Sequence, residues 1–114
     1  LSDGTNNNRI TFEWSGAKVP YFVVGSGGAL QVYTSVTCAL DTRHKIAIGY
    51  KANDFVIYID GVLAASDTSG SVPSSLSEFR FGETAGFDFN GEVNQTLLFK
   101  TRLSNSDLAA LTSL

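Results

Sequence analysis

Apolar and polar residues alternate with a period of two through most of this chain, a pattern that predicts strands rather than helices. In Arg9–Trp14, Ile10, Phe12 and Trp14 fall on one side and Arg9, Thr11 and Glu13 on the other. "PYFVVG" and "ALQVYTSVTCAL" read as the next two strands, joined by a turn at "GSGG" (Gly25–Gly28). In the second of these, Leu30, Val32 and Val36 share a face, and Gln31, Tyr33, Ser35 and Thr37 share the other. "HKIAIGYKA" alternates Ile46, Ile48 and Tyr50 against Lys45, Ala47, Gly49 and Lys51. After a turn at Asn53–Asp54, "FVIYID" directs Phe55, Ile57 and Ile59 at the core, with Val56 and Tyr58 on its second face. Asp60–Gly61 is a strong hairpin signal, because a type I′ turn needs the positive φ that Gly and Asp tolerate, and "VLAAS" returns from it. Residues 67–77 are rich in Ser, Thr, Gly and Pro and read as a long loop. "LSEFRFG", with Phe79 and Phe81 inward, and Glu92–Lys100 are the last predicted strands.

The period changes only in "SNSDLAALTSL". Ser104 is placed to cap a helix, and Asp107 follows three residues on, approximating a capping box. Leu108, Leu111 and Leu114 are expected to dock that helix on the sheets. The whole reads as one all-β antiparallel domain over residues 1–114. Two Trp- or Tyr-bearing positions, Trp14 and Tyr50, alternate with core residues and are expected to be buried.

Composition narrows the functional classes. With 114 residues, 43% hydrophobic content and a formal net charge of −3, the chain is a globular domain of modest core. Its eight basic residues are scattered, which argues against a nucleic-acid partner. No apolar run approaches the ~18–20 residues of a bilayer-crossing helix, and no membrane partner is implied. The single Cys38 excludes an internal disulfide and is expected on a strand, as a small buried hydrophobe. The chain begins at Leu1 and holds no Met, which suggests a portion, the C-terminal part, of a longer polypeptide.

The order "HKIAIGYKANDFVIYIDGVL", "SDTSGSVPSSLSEFRFG", "FNGEVNQTLLFKTRLSNSDLAALTS", led by "LSDGTNNNRITFEW", resembles laminin-G-like domains of the concanavalin A-like lectin/glucanase superfamily. It is most similar to versions carried by bacteriophage tail-fibre and other virion proteins. The resemblance implies an antiparallel jelly-roll β-sandwich with one short C-terminal helix, lacking one or more N-terminal strands. It also implies a module of a virion, an extracellular particle made in the host cytoplasm. Its implied function is binding host-surface carbohydrate. The alternative is a structural or decoration module in contact with other virion proteins or copies of itself. Two departures matter: the usual preceding strands are missing, and Val93, Asn94 and Gln95 stand where many relatives carry charge.

Candidate chemistry is sparse. Glycoside hydrolysis needs two carboxyls about 5–9 Å apart, which β-glucanase relatives supply from an E-x-D-x-x-E strand absent here, so no enzyme is expected. His44 is the only histidine and has no G-x-S-x-G partner; it reads as a residue at a strand start, solvent-facing or capping a turn. Asp3, Asn6–Asn8, Asp67, Asp88 and Asn90 are chemically suited to calcium, but none has a diagnostic spacing, and turns use the same residues. No cofactor is implied and the metal question stays open. Sugar binding asks for an aromatic platform with amides and carboxylates beside it. Tyr33 and Tyr58 lie on the faces opposite the core-facing residues, either against a second sheet or in solvent. With Asn7, Asn8, Glu83, Phe87 and Asp88 they form the candidate carbohydrate set; the competing reading is an ordinary polar rim.

Overall fold

The computed structural model describes residues 1–82 and 89–114. Strands β1 (Arg9–Trp14), β2 (Pro20–Ser26) and β3 (Ala29–Ser35) form one antiparallel sheet in the order β1-β2-β3. Strands β4 (Ile46–Lys51), β5 (Asp54–Ile59) and β6 (Val62–Asp67) form a second, β4-β5-β6, and helix α1 spans Asn105–Thr112. Each sheet is a meander of hairpins. At the β5–β6 turn Asp60 and Gly61 have φ of 53° and 82°, the paired positive values of a type I′ turn.

Alternation assigns the faces. Ile10, Phe22, Val24 and Val32 of the first sheet meet Phe55, Ile57 and Ile59 of the second in one buried cluster. Phe12, Ile48 and Tyr50 pack at its margin. Each fully buried side chain of this size contributes roughly 1.5–3 kcal/mol, so this interlayer seam carries most of the stability. Tyr50 and Trp14 are half-buried rather than buried. Leu30, expected to share the inward face with Val32, is exposed. A register shift at Val24/Gly25 sets Leu30 opposite Gly25, and such a bulge re-phases the residues beyond it.

Three further expectations are corrected. Cys38 lies past the end of β3, half-buried in the connection to β4. Leu76–Gly82 is not a strand: it touches the sheet by a single bridge, Ser2 to Glu78. Leu1 and Ser2 occupy the β1 edge, Leu1 exchanging backbone bonds with Ile10. Phe79 and Phe81 consequently stand 47% and 53% exposed, edge to face at 5.1 Å. Glu92–Lys100 also has no strand partner among the described residues and is exposed throughout. Alternation gives a segment the capacity to be a strand, but only a paired neighbour makes it one.

The helix covers the outer face of the second sheet, making a third layer. Ser104 Oγ accepts from Asp107 N at 3.1 Å and donates to the Asp107 carboxylate at 2.6 Å, a side-chain cap of the first turn. Leu108 packs with Val56 and Tyr58. Leu111 and Leu114 face solvent instead, and Thr112 is the second buried residue of α1. Both helix ends are latched to the hairpin turns of the sheet beneath. Arg102 donates to Asp54 at 2.9 Å at one end; Gly61 N donates to Thr112 Oγ1 at 3.1 Å at the other. The close approach is possible because β4 carries Gly49 under Leu108: a Cβ there would fall 2.8 Å from Leu108 Cδ1.

Candidate functional site: the outer face of the first sheet

Because Phe22, Val24 and Val32 face the core, Tyr21, Val23 and Tyr33 lie on the sheet's other face, where Val23 is fully buried and Tyr33 is exposed. Tyr33 pairs with Val23 and Tyr21 with Ser35, so the two tyrosines are diagonal neighbours on one face, within reach for aromatic side chains. Their rings stack at a centroid distance of 4.8 Å and 22° between planes. Tyr33 is 58% exposed. Glu13 lies across from Tyr21 on β1 and accepts from Thr11 Oγ1 at 2.9 Å. The result is a flat aromatic surface flanked by a carboxylate and hydroxyls. Tyr21 is one of the aromatics the sequence offers for a platform but lies outside the expected set; the signal that places it there is its alternation against Phe22, in phase with Tyr33 against Val32.

The other expected members do not join Tyr33. Tyr58 is 8% exposed and lies under α1 with Leu108 on the opposite sheet, which removes it from any surface platform. Asn7 and Asn8 sit at the β2–β3 turn, roughly 15 Å from Tyr33 at about 3.3 Å per strand residue. Their polar groups serve that turn: Gly28 N donates to Asn7 O and Gly27 N to Asn8 Oδ1, both at 3.0 Å. Asn8 Nδ2 in turn donates to Asp3 at 2.8 Å. Hydrogen bonds from the Thr5 and Asn8 side chains hold the Asp3 carboxyl below the usual carboxylate range. Asp67 accepts from Ser69 N and Oγ. Of the residues chemically suited to calcium, Asp3, Asn8 and Asp67 thus have local partners. Among the described residues no three His, Cys, Asp or Glu side chains converge as a metal site. Glu83, Phe87 and Asp88 lie outside the described residues.

A second cluster was not foreseen from sequence, since its members are far apart in the chain. Cys38, His44 and Asp60 border a cleft of about 420 Å³ between the β3–β4 connection and β6. His44 Nδ1 donates to Asp60 Oδ2 at 2.5 Å and Nε2 donates to Ala39 O at 2.9 Å. With a carboxylate and a carbonyl as partners both ring nitrogens are engaged, and the protonated ring can donate to both at once. The bond to Asp60 raises the His44 pKa above 6.5, assisted by the Ala39 carbonyl and opposed by burial. Burial, then the Asp60 charge, pushes the Cys38 thiol up. A protonated thiol beside a ring with no free nitrogen lacks the base a nucleophile needs. The cluster is a clamp: Asp60 also accepts from Lys45 N at 2.9 Å, fixing the start of β4 to the β5–β6 turn.

The pH dependence follows from the directions of shift. His44, raised above 6.5, stabilises fully below about pH 6.5 and loses that contribution as pH rises through its folded value. Asp60 is depressed, first by the Lys45 N–H, so its contribution is whole above about 3.8 and is lost as pH falls through its lowered value. Melting temperature should therefore decline as pH is raised from 6 towards about 8, and His44→Gln should flatten that decline. A parallel decline in the variant would contradict the clamp.

The fold and these sites can now be set beside known proteins. The family described as the concanavalin A-like lectin/glucanases superfamily matches over residues 1–109. No curated protein matches. Among solved structures, the chain is similar to an S-layer domain-containing protein (residues 221–444) from Clostridium thermocellum ATCC 27405, with TM-score 0.54 and 15% identity. The similarity covers 99% of this chain and 60% of that one, and at this identity it speaks for the fold alone. Two facing antiparallel sheets, their shared core and the match over nearly the whole length agree: this chain belongs to the concanavalin A-like lectin/glucanase superfamily, in its laminin-G-like form.

Proposed function

We propose that this domain is a non-catalytic recognition module of a phage virion protein, held on a tail fibre, appendage or capsid fibre, and that it binds host-surface carbohydrate. The phage setting rests on the run "YKANDF", "DGV" and "FNG…RLSNSDLAAL" in this order. The observation that carries the binding reading is the exposed Tyr33 stacked on Tyr21, with Glu13 beside them. An aromatic face offers the C–H side of a sugar ring an apolar platform, and a neighbouring carboxylate accepts hydrogen bonds from its hydroxyls. The platform is preorganised, since each ring restrains the other, so little side-chain freedom is lost on binding.

The test compares the domain with Tyr33→Ala on an array of bacterial-surface glycans. Loss of one stacking face should weaken binding by about tenfold, the equivalent of about 1.4 kcal/mol. Because Tyr33 is largely exposed, the fold should survive the change. Equal binding by both proteins would overturn the reading. The structural or decoration alternative keeps one observation of its own: the run of apolar residues left in solvent near the C-terminus.

A further inference from the structure

The tyrosine platform carries a sign of charge as well as a shape. Glu13 and Tyr21 are directly paired across β1 and β2, which sets their Cβ atoms about 4.5–5.5 Å apart. Thr11 Oγ1 donates to Glu13 Oε2 at 2.9 Å, so the carboxylate leans along β1 towards the Thr11–Val23–Tyr33 row. That bond uses one of about four acceptor sites on the group. An aromatic ring presents the negative pole of its quadrupole above its face, and a cation is drawn to it. The stacked Tyr21 and Tyr33 and the Glu13 carboxylate therefore act with one sign, attracting positive charge and repelling negative. The cationic side chains of the same hairpin stand off. Arg9 lies roughly 13 Å along β1 from Glu13, and its Nη1 donates to Asn6 O at 3.0 Å. Lys18 sits in the turn beyond the Trp14–Pro20 pair, roughly 10 Å of chain from Tyr21. Both spacings exceed the Debye length of about 8 Å at physiological salt. Lys45, Lys51, Arg80 and Arg102 are engaged elsewhere, with Ser113 O, Asp54, Glu78 and Asp54 respectively.

We infer that the platform selects glycans carrying a protonated amine, with the amino group of a hexosamine beside Glu13 and Tyr21 and the C–H face of the sugar on Tyr33. The inference rests on the carbohydrate reading and names its ligand class. A neutral sugar offers Glu13 only a hydroxyl, and a uronic acid brings a second negative charge to the same place. An exposed ion pair and an exposed cation–π contact are each worth roughly threefold in affinity. Together they should give the amine an advantage of about tenfold over a hydroxyl on the same carbon.

The test is calorimetric titration of the whole chain with three β-1,4-linked tetrasaccharides of one backbone: cellotetraose, the glucosamine tetramer and the glucuronic acid tetramer. At about pH 6 the sugar amine is protonated and ordinary carboxyls are ionised. The amino tetramer should bind about tenfold tighter than cellotetraose, and the acidic one weakest. Glu13→Gln can still accept from Thr11 but has no charge, and should cut the advantage of the amine to about threefold. Glu13→Lys should reverse the order, with the acidic tetramer tightest. Equal binding of the amino and neutral tetramers by the parent would overturn the charge preference and leave the platform standing. An advantage undiminished in Glu13→Gln would overturn it too, as would tetralysine, matched in charge without the sugar ring, binding as tightly as the amino tetramer. If none of the three tetramers binds, the carbohydrate reading falls and the preference falls with it.

Discussion

Replacing Phe55 by alanine is expected to remove about 3–5 kcal/mol of stability, the largest effect of any single change proposed for this chain. Phe55 is fully buried in the seam between the sheets, with Phe22, Ile57 and Val24 in the same cluster. It also supports the loop above it, since a Cβ on Gly70 would lie 3.2 Å from Phe55 Cε2. Removing the ring leaves a cavity that two sheets, each held in shape by its own hairpins, close only in part, and the unfilled space adds to the lost transfer energy. Domains of this size hold only about 5–15 kcal/mol in total. Urea denaturation should show the midpoint falling sharply, with little change in slope. A loss below about 1 kcal/mol would mean that the seam is not packed as described.

The second large effect concerns the third layer. Gly49→Ala places a methyl group 2.8 Å from Leu108 Cδ1 and 3.1 Å from Val56 Cγ2, inside contact distance for both. Leu108 cannot swing away freely, because α1 is tied at one end through Arg102 to Asp54 and at the other through Thr112 to Gly61. Overpacking of this kind costs about 1–3 kcal/mol, while Leu108→Ala alone should cost about 2–5 kcal/mol by leaving a void. The two changes share the same space, so they should couple. Gly49→Ala should be much less harmful in the Leu108→Ala background than in the parent. Strict additivity in that double-mutant cycle would show that the helix does not sit on Gly49.

Much of this architecture is legible in the residues. Six hairpin strands, the Asp60–Gly61 turn and the Ser104 cap follow from period, turn chemistry and capping chemistry, all of which are local. The departures arise where non-local partners decide. Tyr58 alternates like an outward residue, yet α1 arrives from the far end of the chain and buries it. Leu30 is re-phased by a bulge that periodicity alone does not announce. Phe79, Phe81 and the 92–100 segment have strand-like patterns, but the β1 edge is occupied by Leu1 and Ser2. The His44–Asp60 clamp joins residues that only the fold brings together. Of the candidate carbohydrate set, Tyr33 is on an exposed aromatic face, while Asn7 and Asn8 are spent on a turn. The site's second ring, Tyr21, follows from face assignment once the strands are paired.

The central claim, that the outer face of the β1-β2-β3 sheet is the recognition surface, is tested most directly by amide chemical-shift mapping during titration with a glycan from the array. The account predicts shifts centred on Glu13, Tyr21, Val23, Tyr33 and Ser35, with β4–β6 and α1 unmoved. Shifts centred on the Asn6–Asn8 turn, the His44 cleft or the helix would contradict it.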